Sequence, residues 1–154
     1  MRIFLLAASL ASLVVAAPGC AAGKTVTLAG PAELATGATL IPVRPPGGGA
    51  GGAATLAIEG LAYDAPPGVM YELSLQSRDG RRAPVGLISF FNETGYGAAA
   101  PPSGRRTFDA GPALRALGGD VAALVFEPTA GVGGVEAKPN PAAHLRFASV
   151  TLER

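Results

Sequence analysis

Tryptophan is missing from this 154-residue chain, cysteine and histidine occur once each, and charged residues make up only 15% of it. Each scarcity removes a class of function. A lone cysteine, Cys20, excludes an intramolecular disulfide. With His144 the only imidazole and Cys20 the only thiol, zinc and single-copper sites lack the ligands those metals prefer. A formal net charge of +1 provides no clustered Lys and Arg footprint for nucleic acid. The short pairs Arg81-Arg82 and Arg105-Arg106 read as solvated loop charges. After residue 17, every apolar run is too short and too broken by Gly and Pro to cross a bilayer.

What the chain has in quantity is backbone punctuation, with 22 glycines and 14 prolines. The amino terminus departs from that pattern. Arg2 precedes an uncharged apolar run from Ile3 to Ala17, of a length that suits a secretory signal peptide. Residues 1–22 are therefore expected to be an export signal. Ala16-Ala17-Pro18-Gly19-Cys20 also looks like a lipobox, in which Cys20 is acylated after cleavage before it; ordinary cleavage near Ala17 or Ala22 is the alternative. The expected location is periplasmic, extracellular or membrane-anchored, with membrane contact only through a lipid on Cys20.

Residues 23–53 read as an extended segment, with strands at Thr25–Leu28 and Thr39–Ile41, ending in the linker Arg44-Pro45-Pro46-Gly47-Gly48-Gly49-Ala50-Gly51-Gly52. The body, 54–154, is long enough for one core. Ala54–Leu61 alternates as a half-buried strand, with Leu56 and Ile58 on one face and Glu59 on the other. Tyr71, Leu73 and Leu75 give a second strand its apolar face, and Ser77-Arg78-Asp79-Gly80 carries a hairpin signal. Val85–Phe91 is apolar on both faces, which predicts a central strand buried from two sides. A Gly/Pro/Ala-rich loop holding Tyr96 leads to a strand at Thr107–Asp109. Pro112–Leu117 then predicts a short helix closed by Gly118-Gly119. Val121–Glu127 alternates until Pro128, which is expected to stop the strand. The last strand slips phase: Leu145 and Phe147 share one parity, Val150 and Leu152 the other, so a β-bulge is expected near Ala148-Ser149. The expected fold is all-β: an antiparallel β-sandwich with one short helix and long Gly/Pro-rich loops.

Catalytic signatures are weak. Gly86-Leu87-Ile88-Ser89 lacks the second glycine of a nucleophile elbow. Ser89, Ser103 or Ser149 with His144 and an aspartate forms a set that any chain contains. Glu59 and Glu72 are placed to approach across neighbouring strands, but solvent-facing carboxylates are commoner than a glycosidase pair. The glycines at 47–52 are followed by no Lys-Ser/Thr and make no phosphate loop. Met70 has no Cys or His neighbour, and His144 reads as an exposed or hydrogen-bonded residue. The chain is expected to be non-catalytic, with no cofactor and no metal.

Taken in order, Thr55-Leu56-Ala57-Ile58-Glu59-Gly60-Leu61, Met70-Tyr71-Glu72-Leu73, the glycine-centred Val85–Phe91, Phe108-Asp109-Ala110 followed by Leu114 and Leu117, Val121–Pro128 and Leu145–Leu152 resemble the C-terminal β-sandwich of tyrosinases and polyphenol oxidases. The resemblance spans about Leu56 to Leu152; Met70 stands where the family has lysine, and no catalytic copper domain accompanies the motifs. It implies a cover module without its enzyme, partnered by a separate tyrosinase-like copper protein. In fused relatives this domain shields the active-site entrance with a side chain in the substrate position. Tyr96, flanked by Gly95 and Gly97, is the candidate for that placeholder. The alternative is a structural or adhesive envelope protein with no copper partner.

Overall fold

A computed structural model describes residues 23–44, 52–90, 104–130 and 138–154. Residues 1–22, expected to be an export signal and including Cys20, residues 45–51, and the segment with Tyr96 lie outside the described residues.

The strands are β1 (Thr25–Ala29), β2 (Ala32–Glu33), β3 (Thr39–Pro42), β4 (Thr55–Leu61), β5 (Met70–Gln76), β6 (Arg82–Ile88), β7 (Gly104–Asp109), β8 (Ala123–Thr129), β9 (Arg146–Phe147) and β10 (Ser149–Glu153). A short α-helix, α1 (Gly111–Ala116), joins β7 to β8. Two four-stranded antiparallel sheets form, in the orders β1-β10-β4-β7 and β3-β8-β5-β6, and β2 and β9 make a short ribbon. Leu28, Leu56, Ile58, Val150 and Leu152 of the first sheet share one core with Tyr71, Leu73, Leu75, Leu124 and Phe126 of the second. The fold is an all-β sandwich.

Alternation explains the inward faces, and the second strand is the cleanest case: Tyr71, Leu73 and Leu75 are buried while Glu72 points out. The hairpin after it forms as its sequence requires. Gly80 takes φ +85, Ser77 N donates to Arg81 O at 2.9 Å, and Gly80 N donates to Ser77 O at 3.0 Å. Ser77 Oγ and the Arg81 guanidinium both donate to Asp79, the latter at 2.7 Å. These hydrogen bonds, Ser77 first and Arg81 second, lower the Asp79 carboxyl from 3.8 to about 2. A lowered carboxyl stabilises the fold above its unfolded value, and that contribution disappears as pH falls from about 4 towards about 2. Asp79→Asn should flatten the pH dependence of the thermal midpoint in that window, as read by circular dichroism.

Helix α1 ends as expected: Gly118 and Gly119 adopt φ +63 and +78, and Gly119 N donates to Leu114 O at 2.8 Å.

Four expectations need correction. Val85–Phe91 is not a central strand. The strand runs Arg82–Ile88 at a sheet edge, and Leu87 is 46% exposed. Pro84, which has no N–H to donate, suits an edge. A register shift opposite Leu73/Ser74 turns Val85 towards the core, and Phe108 of the other sheet packs on Gly86, where an added Cβ would stand 2.5 Å from Phe108 Cδ1. Apolar residues on both faces thus reflect a bulge and an inter-sheet contact.

Pro128 does not stop its strand, which continues to Thr129 with Pro128 opposite Tyr71. β3 pairs only as far as Phe126, so that flank of β8 has no described strand bonded to it where Pro128 sits. The two arginine pairs are not purely loop charges: Arg82 lies in β6, and Arg105 and Arg106 lie in β7.

The phase slip near Ala148 is real, but its form differs. Leu145, Phe147, Val150 and Leu152 are all buried, with Ala148 interrupting β9 and β10. Ser149 faces Glu59 and Arg146 faces Ala62, leaving two residues on each strand between those pairs. No residue is extra. Instead both strands change parity together, and Gly60 supplies the bend at φ +65, against Ala148. The true register shifts face the outer neighbours: β4 against β7 between Ile58 and Leu61, and β1 against β10 between Thr27 and Ala29.

Candidate functional site

Three places on the sandwich gather side chains that chemistry can use. The first is an aromatic cluster at one end. Phe90, following β6, meets the Tyr63 ring edge-on at 5.6 Å and the Tyr71 ring at 6.4 Å. Tyr71 is buried, its hydroxyl donates to Ala35 O at 3.5 Å, and burial raises its phenol above the ordinary value. The cluster fixes the backbone just before the segment that carries Tyr96, and that segment rejoins the described chain at Gly104 in β7. Tyr96 is thus attached between two strands of opposite sheets.

The second place surrounds His144, which sits at φ +43 after a short 3₁₀ turn, Pro141–Ala143. Its Nδ1 lies 3.1 Å from Glu33 Oε1, and its side chain is 57% exposed. Arg146 donates to the carbonyl of His144 at 3.1 Å and to Asp64 at 2.8 Å. The half-exposed Arg146–Asp64 ion pair contributes about 0–1 kcal/mol. Asn140 anchors the turn: its Oδ1 accepts from Ala142 N at 3.0 Å, and its Nδ2 donates to Pro66 O at 3.0 Å. Asn140→Ala should lower the unfolding free energy by about 1–2 kcal/mol. In urea this appears as an earlier midpoint with an unchanged slope.

The third place is the outer face of the first sheet. Arg105 reaches Glu59 at 3.0 Å and also pairs with Glu153, tying β7, β4 and β10 together. The path from Arg105 to Glu153 crosses Ala57, which is fully buried although it faces outward. Beside this clamp, Ala53, Ala54, Thr55, Thr107, Phe108, Asp109 and Arg115 line a depression of about 530 Å³.

The sequence-level candidates are dispersed. Glu59 and Glu72 do not approach across neighbouring strands; they stand in different sheets, with the core between them. Ser149 lies opposite Glu59 in β10, whereas His144 contacts Glu33. Cys20, Tyr96 and Ser103 lie outside the described residues. Among the described residues, no three His, Cys, Asp or Glu side chains group as metal ligands, and no helix is long and apolar enough to cross a membrane. The depression escapes sequence reading because Thr55 meets Asp109 only through the β4–β7 register.

No protein-family model, curated protein or solved structure matches the chain.

Proposed function

We propose that this chain is an exported, non-catalytic β-sandwich that docks on a separate tyrosinase-like copper oxidase and shields its substrate entrance. The observation that carries the reading is the order of motifs on strands. The resembling segments fall in β4, β5, β6, β7 with α1, β8 and β9–β10, and the glycine of the glycine-centred strand, Gly86, is the residue on which Phe108 packs. The aromatic anchor at Phe90 further supports a role for the Tyr96 segment, because it starts that segment from a fixed point. In this reading the signal segment exports the chain, a lipid on Cys20 is its only tie to a membrane, and Tyr96 occupies the phenol position of the partner's copper site.

Affinity capture from the native envelope tests this. The tagged chain should retain a protein that is identified by mass spectrometry as tyrosinase-like and carries two coppers per molecule. Tyr96→Ala should leave the complex formed but relieve its inhibition of phenol oxidation. Unchanged inhibition in the variant sinks the placeholder role. Capture that yields no copper protein favours a structural or adhesive envelope protein instead. Mass spectrometry of the mature amino terminus decides between a lipidated Cys20 and ordinary cleavage.

A further inference from the structure

We propose that the depression between the β4–β7 end of the first sheet and α1 binds a small zwitterion of the amino-acid type. This goes beyond the docking role and stands or falls separately from it.

Two opposite charges line the same depression and form no direct ion pair with each other. Asp109 Oδ1 accepts from Gly111 N at 2.9 Å, and the second carboxylate oxygen carries the remaining accepting capacity. Arg115 extends from α1 to the same spot: a Cβ built on Gly111 would stand 3.1 Å from Asp109 Oδ1 and 3.2 Å from Arg115 Nη1. Both head groups therefore lie against Gly111, whose backbone is buried beside Gly52 O. Among the described residues, the charged pairs that form are others, and Arg115 and Asp109 belong to none of them.

The ligand class follows from this pairing. A simple anion would gain from Arg115 and be repelled by Asp109, and a simple cation the reverse. A molecule with a carboxylate and an ammonium a few bonds apart satisfies both, through charge-assisted hydrogen bonds of the stronger kind. Thr55 and Thr107 add hydroxyls from the outer face of the sheet, and Ala53, Ala54 and Phe108 offer apolar surface to a side chain. A volume of about 530 Å³ accommodates such a molecule.

The test is a titration of the ¹⁵N-labelled full chain followed by NMR, with L-alanine, N-acetyl-L-alanine and L-alanine amide as probes. L-Alanine should shift the amides of Thr55, Thr107, Asp109, Gly111 and Arg115 along saturable curves. The acetylated and amidated forms each lose one charge and should bind about tenfold more weakly. Arg115→Gln should weaken L-alanine about tenfold and leave the amide unaffected. Asp109→Asn keeps a carbonyl oxygen for Gly111 N, so the fold is retained; it should weaken L-alanine and leave the N-acetyl form unaffected. The proposal is overturned if no shift saturates, if the three probes bind alike, or if both variants bind L-alanine as the parent does.

Discussion

Replacing Phe126 by alanine is expected to cost about 3–5 kcal/mol, a large part of the 5–15 kcal/mol typical of a domain. Phe126 has no exposed surface, lies in β8 of the second sheet, and stacks on Phe147 of β9 at 5.7 Å. Its ring fills the space where the second sheet meets the β9 corner, so truncation leaves a cavity that neither side can close without shifting strands. The result should be a urea transition moved to a much lower midpoint. Leu40, 54% exposed on the edge strand β3, is the internal control: Leu40→Ala should change stability by no more than about 0.5 kcal/mol. Similar losses in the two variants would mean that the stated core is wrong.

Gly60→Val is expected to be the next most damaging change, at about 2–4 kcal/mol. Two separate costs combine there. Valine is poorly suited to φ +65, and its Cβ would stand 2.8 Å from Ala148 Cβ. The two are separable in a double-mutant cycle. Ala148→Gly removes the obstructing methyl but not the backbone cost, so it should restore about 1 kcal/mol of the Gly60→Val loss. Additive losses in the four proteins would show that the joint bend of β4 and the closing strand is not built on that contact.

Much of the fold was readable because its strands obey a period of two. Tyr71, Leu73 and Leu75 needed no partner to announce their face, and Asp79-Gly80 announced the hairpin. The parity change at Ala148 was also visible, since four apolar residues cannot all be buried on an uninterrupted strand. Its physical form was not, because the matching bend at Gly60 belongs to another strand, and a glycine inside an alternating run has the same letter whether it bends or not. The same limit hid the edge position of β6. An apolar residue facing solvent and one facing a second layer look alike in sequence, although Pro84 was the clue that an outer hydrogen-bonding row was not needed. The side chains around Asp109 and Arg115 come together through pairing between β4 and β7 and the return of α1, none of which is a local pattern. Glu59 and Glu72 failed as neighbours for the same reason.

Under the proposed function, the sandwich has no turnover of its own and acts on the copper site of another protein. The most direct measurement adds the purified mature chain to a tyrosinase-like copper oxidase stripped of its own C-terminal domain and follows oxidation of a monophenol. The account predicts no turnover by the chain alone and a rate that falls to a plateau at one equivalent. A rate indifferent to the added chain, or oxidation by the chain without the enzyme, would contradict it.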